Sequence, residues 1–289
     1  MKTKKIEAVV APRDPHMVGD GFRVHNFIPS TYPLTRDRMS PFIMLDYNSK
    51  FYFPPTTEPR GVDVHPHRGF ETVTIAYKGS VAHHDSAGNS GIIKEGDVQW
   101  MTAASGILHK EYHEKEFSAK GGFFQMVQLW VNLPAKDKMS APKYQEITHE
   151  NIRKVELEQG NIEVIAGNYK DVNGAASTFT PVNLLNVNLK KDGKADFNFP
   201  AKHNTALLVI EGTIIVNNSR KVAADHFVLF ENEGEDFQIE AVEDAKVLIL
   251  SGEPINEPVV SHGPFVMNTK EEINQAFEDF YTGKFGTLV

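Results

Sequence analysis

Cysteine is absent from all 289 residues. Disulfides, thiolate nucleophiles and zinc–sulfur centres are therefore excluded, and any transition metal must be held by nitrogen and oxygen. Long apolar runs are missing too. Ala206-Leu207-Leu208-Val209-Ile210 is among the longest, far short of the roughly 20 residues a membrane-spanning helix needs. No apolar stretch follows the basic start Met1-Lys2-Thr3-Lys4-Lys5, so no secretory signal is read and the expected setting is the cytoplasm. Basic excess is also lacking. The net charge of −8 argues against direct nucleic-acid contact, because neutralising phosphates needs a basic surface. What remains is 40% hydrophobic and 24% charged, the balance of a soluble globular chain. Its length suffices for two β domains of ordinary size or one large one.

Strand signals dominate. Phe70 to Tyr77 is β-branched and aromatic and ends at Lys78-Gly79. His83-His84-Asp85 runs into the turn Ser86-Ala87-Gly88-Asn89, Val98 to Met101 resumes the extended pattern, and Phe123 to Leu133 stops at Pro134. Turn signals every 8–12 residues predict a sandwich or barrel and not a parallel βαβ sheet. A second set follows Pro142, including Leu184 to Leu189, Ala206 to Ile210, Phe227 to Phe230 and Val247 to Leu250. Ile75 to Gly79 with Glu95-Gly96-Asp97 is matched by Val209 to Gly212 with Asp225. A strand ending in a charged residue and Gly, then a hairpin, then an Asp opening the next strand is what a duplicated barrel leaves. Near the C-terminus, Thr269-Lys270-Glu271-Glu272 reads as a capping box. Ile273, Ala276, Phe277 and Phe280 have helical spacing, and Gly283 ends the segment. The expected architecture is all-β, with two antiparallel barrels over residues 1–140 and 141–289 and one short C-terminal α-helix.

Six of the twelve histidines lie between residues 65 and 113. His65-Pro66-His67 is followed, 42 residues after His67, by His109-Lys110-Glu111. Residues i and i+2 of a strand share a face, so His65 with His67 and His109 with Glu111 form two same-face pairs. On adjacent strands of a small barrel they converge on its interior. Three imidazoles and a carboxylate make a borderline donor set suited to Fe(II), Ni, Cu(II), Co, Mn or Zn. Neutral imidazoles and an ionised Glu are the binding forms, so affinity should weaken as pH falls. The competing reading is four exposed side chains on an outer face, which would cost nothing. His113 continues the alternation and could point inward too; a place behind the ligands or at the rim is expected ahead of a ligand role. His83 and His84 adjoin a turn and read as solvated. Glu71 shares the parity of His65 and His67 and is open as ligand, nearby acid or strand-edge residue. Phe42, Phe70, Phe123 and Phe124 are candidates for an apolar pocket wall or for packed core.

At these residues the sequence resembles the pirin family of the cupin superfamily. The likeness is carried by His65-Pro66-His67-Arg68-Gly69-Phe70-Glu71-Thr72-Val73, by Gly106-Ile107-Leu108-His109-Lys110-Glu111, and by Gly252-Glu253-Pro254 through His262-Gly263-Pro264-Phe265-Val266-Met267-Asn268-Thr269. Val18 to Phe22 and Pro41 to Asp46 are similar to the family's N-terminal signature. The resemblance implies a bicupin, two antiparallel barrels of which the N-terminal one holds the metal through His65, His67, His109 and Glu111. Cupins in general use the Glu of the first motif, here Glu71. Pirins are thought to take the carboxylate from the second motif, which favours Glu111. The second barrel has no His-x-His, only isolated His203 and His226, and no metal is expected there. Tyr112-His113-Glu114 adds a histidine and a carboxylate beyond the family pattern.

The resemblance further implies a quercetin 2,3-dioxygenase-like activity, cleaving flavonols with O2 at one divalent metal. Fe(II) is expected first, with Ni, Cu, Co, Mn or Zn as alternatives, and Glu111 as the catalytic proton acceptor. The implied partners are a flavonol-like aromatic substrate and O2, in a monomer with no membrane association. The alternative is a regulatory protein whose metal tunes binding to a transcription factor or metabolic enzyme, without turnover. A sugar-isomerase-like or storage cupin has only the fold behind it.

Overall fold

Ile107–His113 buries every second side chain, Ile107, His109, Glu111 and His113, and leaves Leu108, Lys110 and Tyr112 half-covered. That alternation is what a strand must show when one face meets a core. It recurs along most of the chain in the computed structural model, which describes residues 2–288. By its contacts the chain divides into two units, each built from separated segments. One unit comprises the segment up to Arg13, Phe27–Pro41 and Glu150–Pro254; the other comprises Asp14–Asn26, Phe42–His149 and the segment from Ile255 onward. A linear cut at residue 140 therefore does not follow these contacts.

Each unit is a two-sheet cupin-type barrel with a seven-stranded and a four-stranded sheet, antiparallel throughout. The duplication read from the turns is realised strand by strand. Phe70–Lys78 pairs with Val98–Thr102 on one side and Gly122–Asn132 on the other. In the second unit Asn204–Glu211 pairs in the same way with Phe227–Phe230 and Ala245–Gly252. The interior of that second unit is filled by apolar side chains. Phe237 stacks on Phe197 at 5.0 Å and meets Phe230 at 4.4 Å. Among the described residues no helix is long and apolar enough to cross a membrane.

The C-terminal helix spans Lys270–Tyr281 and starts with the expected capping box. Thr269 Oγ1 accepts from Glu272 N at 3.1 Å, and Glu272 Oε2 accepts from Thr269 N at 2.9 Å. Its apolar stripe, Ile273, Ala276, Phe277 and Phe280, packs with Phe265, Met267 and Phe285. This cluster lies against the turn that follows His67. Gly69 there has φ +90°, and a Cβ would stand 1.9 Å from Val266 O. Only glycine fits. Lys138, fully buried, donates to Gly69 O (2.7 Å), Asn132 Oδ1 (2.6 Å) and Val266 O (2.9 Å). Burial lowers its ammonium to about 7 even though Glu257 and Glu272 favour the charge.

Arg68 ties the same turn to the helix. Its Nη1 donates to Asp279 Oδ2 at 2.9 Å, its Nε donates to Ser105 O at 2.7 Å, and its guanidinium lies 4.7 Å from the Phe285 ring centre. Lys284 and Gln275 also bond Asp279, at 2.7 and 2.9 Å. Led by Lys284, these partners hold its carboxyl at about 2, below the ordinary 3.8. A carboxyl depressed in the folded state stabilises fully above its unfolded value, and the contribution disappears as pH falls toward 2. Replacing one partner of a buried pair costs about 3–5 kcal/mol, and Lys284 keeps this case at the lower end. Arg68→Ala should therefore lose about 3 kcal/mol in urea unfolding at pH 7. Its stability should also fall less steeply than the parent's between pH 4 and pH 2; equal slopes would show that Arg68 does not hold Asp279.

Candidate metal centre

Register within the four-stranded sheet builds the site. Ile107–His113 lies between Gly61–His67 and Val81–Asp85, so His109 has His65 opposite it on one side and Asp85 on the other. A bulge follows His109, and Glu111 then faces Val62 and His83. The ring centres of His65, His67 and His109 are 4.2–4.8 Å apart. Their ligand atoms fall within 4.8 Å of one another. Glu111 falls within the same distance of His109 and His83, forming a second set. The three expected histidines thus converge, and the expected glutamate joins them through His109.

The ring nitrogens suit a metal. His65 Nδ1 is 2.8 Å from Asp63 O and His67 Nδ1 is 3.4 Å from Pro264 O, so each can donate there and keep Nε2 as a lone pair. His109 is fully buried with neither ring nitrogen hydrogen-bonded. Buried polar atoms are normally satisfied, and a divalent transition metal is the group that satisfies imidazole lone pairs in such a cluster. Burial first, and then the neighbouring histidines, lowers His67 and His109 well below 6.5, which keeps both in the neutral binding form.

Glu111 is positioned through one oxygen. Its Oε1 is bonded by Gln99 Nε2 at 3.1 Å and lies 3.2 Å from Thr74 Oγ1. Thr74 Oγ1 is also 2.8 Å from Gln128 Oε1. These residues belong to a polar row across five neighbouring strands: Gln99 pairs with Thr74, Thr74 with Gln128, Gln128 with Asp46, and Asn26 bonds Asp46 at 2.5 Å. A cavity of about 330 Å³ opens beside it. His65, His67 and Glu111 reach this cavity, whose apolar wall is Phe22, Val24, Met44, Met126 and Trp130.

Several expectations change. None of the four phenylalanines weighed as pocket wall or packed core lines this cavity, and Phe42, Phe70 and Phe124 are buried core. Phe70 is buried behind it, stacked on Trp130 at 4.1 Å, while Phe123 is 53% exposed and packs on Tyr52. Glu71 is not at the centre. The turn at Arg68-Gly69 resets the alternation, so Phe70 and not Glu71 shares the face of His67, at 5.1 Å. Glu71 is buried on the other face, bonded by Thr102 Oγ1 at 2.7 Å, and burial raises its carboxyl to about 7. His113 points inward, yet into a box of Phe22, Phe53, Phe117 and Phe124, donating through Nε2 to Gly21 O at 2.7 Å. Burial lowers it to about 4. His83, read as solvated, is fully buried beside His109 and Glu111. Its i, i+2 relation to Asp85 was the signal available in the sequence.

The comparisons with known proteins follow the same lines. A quercetin 2,3-dioxygenase from Acinetobacter baumannii, known from its crystal structure, superposes with a TM-score of 0.93 at 47% identity over all of both chains. A Pseudomonas aeruginosa protein that bears the name quercetin 2,3-dioxygenase provisionally is 45% identical over 98% of both chains. A pirin-like protein of Solanum lycopersicum is 40% identical over 86% of this chain and 82% of its own. Residues 21–131 match the family Pirin and residues 184–286 match the Pirin C-terminal cupin domain, and with the two barrels and the histidine cluster this places the chain in the pirin family.

Proposed function

We propose that this chain is a metal-dependent dioxygenase that cleaves flavonols such as quercetin with O2, at a mononuclear site of His65, His67, His109 and Glu111 with Fe(II) as the expected ion. One observation carries the reading: the cavity that reaches His65, His67 and Glu111 is walled by aromatic and thioether side chains and has the volume of a small-molecule pocket. Two full-length relatives bear the quercetin 2,3-dioxygenase name. Both oxygen atoms of O2 enter the ring-opened ester, and the carbon that bears the 3-hydroxyl leaves with its own oxygen as CO as its two ring C–C bonds break. The metal, when bound, supplies the Lewis acidity and redox access that let an electron-rich substrate react with O2.

The chain's own residues prepare the substrate. The apolar wall holds the flat rings and excludes water. Glu111 Oε1 is fixed by Gln99 and Thr74, which leaves Oε2 to take the proton of the 3-hydroxyl. Thr74 has a single hydroxyl proton, which Glu111 Oε1 and Gln128 Oε1 share.

Protein purified without chelator should carry about one transition-metal atom per chain by elemental analysis, and His67→Ala/His109→Ala should carry almost none, since His109 belongs to both groups of closely spaced donors. A parent that takes up no Fe(II), Ni or Cu on anaerobic reconstitution would end the metal reading. With the metal in place, O2 consumption on a flavonol panel separates an enzyme from a metal-tuned binding protein, which would consume none. Glu111→Gln should lower turnover by about 10²–10⁴-fold, the usual worth of a positioned general base, while metal content falls far less. Equal loss of both would remove the proton-transfer role.

A further inference from the structure

His83 lies in mid-strand directly opposite Glu111. It is fully buried, its Nδ1 has no hydrogen-bond partner, and its ring centre is 5.4 Å from that of His109. The other nitrogen, Nε2, faces Asp85 Oδ2 at 3.4 Å. Asp85 is itself held: its Oδ1 accepts from Ala87 N and Asn89 N at 2.9 Å each, and Asn89 Nδ2 bonds Oδ2 at 2.9 Å. Against the upward push of burial, the bonds from His83 and Asn89 keep this carboxyl below its ordinary value. The Tyr144 ring stacks on His83 at 5.2 Å and 19°, which fixes the imidazole plane. A carboxylate that keeps one ring nitrogen protonated and leaves the other as a lone pair is how metal-binding histidines are oriented.

We infer that His83 is a metal ligand of this chain, so that His109 is shared by two overlapping donor sets, His65–His67–His109 and His83–His109–Glu111. The inference rests on the metal reading above and adds a donor to it. The ligand atoms of each set lie within 4.8 Å of one another. Two donors at about 2.1 Å from one ion stand at most about 4.2 Å apart, so either set needs only a small closure. With Asp85 behind it, the second set is as prepared as the first, in which His65 and His67 lean on backbone carbonyls.

Metal-free protein titrated with Co(II) and followed by its visible d–d absorption tests this. The parent should take up one ion. His65→Ala/His67→Ala should still take up one, more weakly, and adding His83→Asn to that variant should abolish uptake. Pulsed EPR of the Cu(II)-loaded double variant counts coordinated imidazoles without depending on how the triple variant folds. Two, from His83 and His109, are expected; one, or no metal at all in the double variant, overturns the inference while the parent's site stands. A parent that takes up no Co(II) overturns the metal reading and this inference together.

Discussion

Both ring nitrogens of His109 are buried with no protein partner, and each unsatisfied buried group of this kind costs about 1–3 kcal/mol. That cost organises the barrel around it. The strand carrying His109 is flanked on both sides, so donors approach from Gly61–His67 and from Val81–Asp85. The second barrel repeats the strand plan and meets no such constraint, because its interior is closed by stacked phenylalanines and aliphatic side chains. One barrel is completed by burying apolar area; the other keeps a polar interior that calls for an ion.

The most local features were the most legible. The i, i+2 spacing of His65 with His67 and of His109 with Glu111 placed all four on inward faces, and the capping box at Thr269 and Glu272 set the start of the helix. Parity failed where the backbone broke the strand: Gly69 at φ +90° returned Phe70, not Glu71, to the face of His67. His83 was misread because its nearness to a turn outweighed its register against Glu111, which only strand pairing reveals. The residues of the pocket wall were not legible for a related reason. Phe22, Met44 and the pair Met126 and Trp130 come from three separate strands, and no local pattern distinguishes a residue that lines a cavity from one that packs behind it.

The turn after His67 is where the remaining constraints meet. Arg68 reaches Asp279, Gly69 admits Val266 O, and Lys138 bonds the carbonyls of both Gly69 and Val266. The geometry of the histidine pair thus depends on residues some two hundred positions later. The polar row from Gln99 to Asn26 does the corresponding work across the sheet, holding Glu111 at one end and presenting Asp46 at the other.

That each unit is built from separated segments bears on its synthesis. Chains begin to fold from the N-terminus while still being made, and the first unit's barrel strands are in place by His149. Its closing piece, from Ile255 onward, follows only after Glu150–Pro254, the longest segment of the other unit. The histidines are therefore translated early and fixed late. A nascent chain carries them without the clamp on Gly69 through more than a hundred further residues.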